Sequence, residues 1–131
     1  MLKLTYTETG LQLEPLSVTV EEWITSRVVL SVRATHPLMV EAATASVLLP
    51  LDLPSLETLK TAAAAEALGA IAFSQCDAEF LEVTLRGTWL SSHPEREEGV
   101  FVVTLSPATE ALLYQLWRVC QLHDLGNALS Q

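Results

Sequence analysis

The chain has 131 residues, half of them hydrophobic, and carries 16 Asp and Glu against 7 Lys and Arg, a formal net charge of −9. That length suits one domain with a core of its own, and the apolar fraction excludes general disorder. The carboxylate excess repels phosphate backbones and anionic bilayers, so neither nucleic acid nor membrane is an expected partner, while a basic protein segment is the better electrostatic match.

The opening MLKLTYTETG lacks the charged and apolar regions of a signal peptide, and no run of about 18 apolar residues is present, so a cytoplasmic location is expected. Leu2, Leu4 and Tyr6 alternate with Lys3, Thr5 and Thr7, and Leu11 and Leu13 alternate with Gln12 and Glu14, predicting a hairpin that turns at Gly10 and ends at Pro15. Thr19 followed by Glu22 has the spacing of a capping box. Val20, Trp23, Ile24, Arg27, Val28 and Ser31 recur at helical spacing, with Arg27 and Ser31 as polar imperfections, predicting a helix over Val20 to Arg33. The run Val28-Val29-Leu30-Ser31-Val32 also fits a strand.

Leu38 to Glu41 and Ser46 to Leu49 read as two short strands or as one long one. Leu56, Leu59, Ala63 and Ala67 mark the buried stripe of a second helix, with Gly69 as its stop. Ile71 to Asp77 leads into a hairpin over Phe80 to Leu105. In its first arm Leu81, Val83, Leu85 and Trp89 share one face, and Glu82, Thr84, Arg86 and Thr88 the other. Its second arm, Gly99 to Leu105, is almost wholly apolar and β-branched, as expected of an interior strand. Ser106-Pro107 opens a last helix with stripe Leu112, Leu113, Leu116, Trp117 and Cys120, which Gly126 is expected to close. These elements predict a single α+β domain over residues 1–125, a mainly antiparallel sheet with about three helices packed on one face, followed by a flexible tail over 126–131.

No residue pattern points to catalysis. His36, His93 and His123 are scattered, and Cys76 and Cys120 lie 44 positions apart, so neither a metal site, a cofactor nor a disulfide is expected. Both cysteines are expected to pack as small buried hydrophobes. The carboxylates Asp77, Glu79 and Glu82 stand close enough in sequence to divide acid and base roles, yet Glu82 falls on a polar strand face where solvation is the ordinary fate. Trp23, Trp89 and Trp117 fit core positions; Trp89, at a strand end beside Leu90, is the best placed for a surface. Together with Tyr114 and Arg118, four apart on the last helix, it defines the expected partner-binding patch: Trp89, Leu90, Tyr114 and Arg118.

The segments VEEWITSRVVL, VEAATASVLLPLDLP and CDAEFLEVTLRGTWLSS, within a stretch from about Leu2 to Trp117, resemble a small family of cyanobacterial accessory proteins of the kind represented by the carboxysome assembly factor CcmS. The resemblance implies a non-enzymatic adaptor that binds an extended segment, such as the C-terminal extension of a carboxysome shell protein, by adding a strand to a sheet edge. A further likeness joins LRGTWLSSHPEREEGVFVVTLSPATEALLYQLW to the end of PilZ domains, which implies a β-barrel and a ligand-sensing role. Their R-x-x-x-R arm is missing, and ATASV stands where D-x-S-x-x-G belongs. An exposed edge would also permit a homodimer.

Overall fold

The structure, a computed structural model, describes residues 1–66, 69–93, 95 and 97–129, with side chains described as far as Gln121. Six strands and three helices follow in the order β1 (Leu2–Thr7), β2 (Gly10–Pro15), α1 (Val20–Ala34), β3 (Met39–Pro50), α2 (Leu56–Ala64), β4 (Ile71–Gln75), β5 (Phe80–Ser91), β6 (Gly99–Val103) and α3 (Pro107–Leu129). All strand pairs are antiparallel, in the order β2-β1-β6-β5-β3, and β4 also pairs with β5. The fold is α+β with sheet dominant, as the pattern of periods predicts. The sheet is open, with β2 and β3 at its two ends, so the barrel implied by the PilZ likeness is not formed.

β5 is the hub, because its twelve residues pair along one side with the whole of β3, Phe80 with Pro50 through Ser91 with Met39. Its other side is shared: Leu81 to Leu85 pair with β4, and Thr88 to Leu90 with Val100 to Val102 of β6. The expected hairpin of β5 and β6 is therefore real but short. Two residues let the crossing strands approach. A Cβ on Gly87 would stand 2.2 Å from the Val102 carbonyl oxygen, and one on Gly99 would stand 2.3 Å from the Trp89 ring, so no larger residue fits at either.

Strand alternation sorts the core. Leu2 pairs with Val103 and Leu4 with Phe101, so these share a face, on which Leu81, Val83, Leu85, Val47 and Leu49 pack against Leu56 and Leu59 of α2 and Leu113 and Leu116 of α3. Lys3 and Val102 pair on the other face, where Met1, Trp23, Leu90 and Val102 form a second, smaller cluster under α1. The helices thus lie on both faces of the sheet, α2 and α3 on one and α1 on the other, rather than on one face as expected. Helical period shows only that α1 has an apolar stripe; it carries no information about the side of the sheet the stripe meets.

Local chemistry sets the element ends. Thr19 Oγ1 accepts the Glu22 N–H at 3.2 Å, capping α1, and the Val28–Val32 run stays helical through to Ala34. Ser106 caps α3, its Oγ accepting the Thr109 N–H at 3.3 Å and its carbonyl accepting the Glu110 N–H at 2.9 Å. The two candidate strands around Ala42 are one continuous strand, β3, because every residue from Met39 to Pro50 finds a partner on β5. α2 ends at Ala64, before the predicted stop at Gly69; Ala67 lies outside the described residues. α3 runs through Gly126 to Leu129, so the expected tail over 126–131 falls partly within a helix, while residues 130–131 lie outside the described residues. Cys76 is exposed, not buried, because it sits in the β4–β5 turn, where its N–H donates to the Phe80 carbonyl; Cys120 is half-buried.

Candidate functional site

Two surface features stand out, and neither is the patch expected from sequence. Trp89 is half-buried against the larger core, with its ring over Gly99. Leu90, its neighbour on the strand, points to the opposite face and is buried, 4% exposed, in the smaller cluster. Tyr114 and Arg118 do meet each other, the guanidinium carbon 5.8 Å from the ring centroid, and line a shallow cleft with Pro15, Pro107 and Val119. Consecutive strand residues face opposite ways, so Trp89 and Leu90 cannot share one patch, and burial removes Leu90 from the surface.

The first feature is the outer edge of β3. Among the described residues no strand pairs with it. The Arg86 N–H donates to the Ala70 carbonyl on the β4 side at 2.8 Å, away from β3. Arg86 faces Thr44, so this is a non-hydrogen-bonded pair, and the N–H and C=O of Thr44 point outward. By alternation Val40, Ala42, Ser46 and Leu48 present theirs as well. Natural edges are blunted by lysines, prolines or bulges, yet these five outward positions carry no charge, and the strand's only proline, Pro50, is at its end. Val40 and Leu48 are exposed, 43% and 49%.

The second feature is a groove of about 730 Å³ between α1 and the sheet. Its floor includes Trp23, Leu38, Leu90 and Val100, and its walls carry Lys3, Arg27, His36, His93 and the hydroxyls of Thr5 and Ser31. The Trp23 indole is flanked by two cations, Arg27 at 4.8 Å and Lys3 at 5.9 Å from the centroid. Lys3 is also paired with Glu14 at 3.0 Å. Thr35 ends α1 in the left-handed conformation at φ 54°, a strained choice for a β-branched residue, and sends the chain into His36 at the groove rim. Arg27 and Ser31 are polar blemishes in the apolar stripe of α1. Both line the groove, so the blemishes were the available signal, together with the i,i+4 spacing of Trp23 and Arg27.

The acidic trio is dispersed by its local structure. Asp77 Oδ1 accepts the N–H groups of Glu79 at 2.7 Å and Phe80 at 3.0 Å, which makes it the organiser of the β4–β5 turn, while Glu82 Oε1 accepts the Thr84 hydroxyl at 3.2 Å. Among the described residues no three His, Cys, Asp or Glu converge as metal ligands, and no helix is long and apolar enough to cross a membrane. The Glu66 carboxyl is perturbed. Burial pushes its carboxyl up, but hydrogen bonds from the Ser106 hydroxyl, the Ser106 N–H at 2.7 Å and Thr109 outweigh this and hold it below its ordinary value.

An open antiparallel sheet with helices on both faces, an unpaired long edge and a groove under one helix define a small α+β protein built around surfaces. The chain matches the Alr0857-like family over residues 1–121 and belongs to it. That family takes its name from a cyanobacterial locus, in keeping with the cyanobacterial resemblance of the sequence. No curated protein and no solved structure matches the chain.

Proposed function

We propose that this protein is a non-enzymatic adaptor or assembly factor that receives an extended segment of another protein along the free edge of β3. The observation that carries the reading is the row of outward N–H and C=O groups at Val40, Ala42, Thr44, Ser46 and Leu48, unpaired among the described residues, on a strand whose one charged residue is Glu41. The net charge of −9 suits a segment with basic residues. The resemblance to carboxysome assembly factors such as CcmS makes the C-terminal extension of a shell protein the first segment to try.

Thr44→Pro tests the reading cleanly, because it deletes an outward N–H without removing a bond to β5. Calorimetric titration with the shell-protein extension peptide should show binding to the wild type and loss of at least tenfold in the folded variant. Hydrogen exchange should show protection by the peptide at Val40, Ala42, Thr44, Ser46 and Leu48. Unchanged affinity of folded Thr44→Pro would sink the edge as the site. A concentration-dependent dimer of the wild type, abolished by Thr44→Pro, would assign the edge to a second copy of this chain.

A further inference from the structure

The groove beneath α1 is poorer in carboxylates than the molecule as a whole. Across the whole chain acids outnumber Lys and Arg 16 to 7, yet among the described lining residues Lys3 and Arg27 stand against a single carboxylate, Glu98, with His36 and His93 beside them. That carboxylate is already engaged, its Oε1 accepting the Glu8 N–H at 3.3 Å. Lys3 is neutralised by Glu14. Arg27 enters no ion pair among the described residues; its guanidinium lies over the Trp23 indole. A guanidinium held on an aromatic face keeps its fork of N–H donors for another group, and that fork matches a planar or tetrahedral oxyanion.

The rest of the groove is apolar in the places where the body of a ligand would lie. Leu38 and Val100, both half-buried, offer a hydrophobic floor above the buried Trp23 and Leu90, and the volume of about 730 Å³ falls within the range of small-molecule sites. Ser31, one turn beyond Arg27 on the same helix, lines the same wall. From these residues we infer that the groove binds a small organic anion, its apolar or aromatic body seated on Leu38 and Val100 and its carboxylate, sulfonate or phosphate group taken by Arg27, which the Trp23 indole holds in place. This site is separate from the β3 edge and stands or falls independently of it.

Two probes of nearly the same shape test the assignment on the full chain: anilinonaphthalene sulfonate, an aromatic anion, and phenylnaphthylamine, its uncharged counterpart. Fluorescence titration of the wild type should show preference for the anion. Arg27→Gln should weaken the anion about tenfold, the worth of one charge-assisted hydrogen-bonded pair, and change the neutral probe less than about twofold. Ser31→Glu, which adds a carboxylate to the wall, should weaken the anion as well, and Arg118→Gln, on α3, should change neither probe. The inference is overturned if the wild type does not prefer the anion, if Arg27→Gln weakens both probes equally, or if both groove variants fold and bind the anion as the wild type does.

Discussion

On one face of the sheet seventeen buried residues from all six strands, α2, α3 and the residues after β6 form a continuous core; on the other, four buried residues hold α1 in place. Both faces belong to the same strands, so the difference comes from what covers them. α2 and α3 bring apolar stripes to match the apolar positions of β1, β3, β5 and β6. α1 meets a face whose strand positions are mostly Thr, Ser, Arg and Glu, and it leaves Val28, Val29, Leu30 and Val32 exposed, Val32 by 73%. One face holds most of the buried core, and the other carries the groove. The groove lies under α1, of whose residues Trp23 is the one buried.

The sharpest way to break this comparison lies within β5, where Leu85 and Leu90 are the same residue type, similarly buried and on opposite faces. Leu85→Ala should cost about 3–4 kcal/mol, because it opens a cavity in the dense core, and Leu90→Ala about 2 kcal/mol, because the small cluster beside the groove can collapse. Urea unfolding of both variants measures the difference; equal costs would mean that the faces are packed alike. A smaller effect sharpens the same point. Thr19→Ala removes the cap of α1 and should cost about 1 kcal/mol, felt as faster hydrogen exchange in α1 with β5 amides unaffected. Equal acceleration in β5 would show that α1 opens only with the whole domain.

The smallest effect is expected at Glu66, which fastens the end of α2 to the start of α3. Its folded pKa is depressed below the ordinary 4.5, so its stabilisation is present above that value and is lost as pH falls through the folded pKa. Glu66→Gln should therefore lower stability at neutral pH by about 1 kcal/mol or less and make the acid limb of the stability profile shallower. An unchanged limb would mean that folding does not depress the Glu66 pKa, and unchanged stability at neutral pH that an amide satisfies the Ser106 N–H equally well.

Much of the element inventory was legible because its signals are local. The alternation in Leu2 to Tyr6 and in Leu81 to Leu85 is read from neighbours two positions apart, and the caps at Thr19 and Ser106-Pro107 are satisfied within one turn of their own helices. The candidate patch was not legible in the same way. Alternation already places Trp89 and Leu90 on opposite faces, but that α1 covers Leu90 is set by the packing of a distant segment.

By itself, then, the sequence determined the periods, the turns and the helix starts, because each depends on groups a few residues apart. It also determined the acidic surface and the absence of catalytic motifs among its short patterns. The tertiary structure alone decided that β6 lies between β1 and β5, that β3 is left at an open end, and that α1 crosses to the far face and brings Arg27 and Ser31 over Lys3 and Thr5. Those outcomes depend on pairing between segments tens of residues apart, where many registers satisfy the same local pattern and only the shared burial of a whole core selects among them.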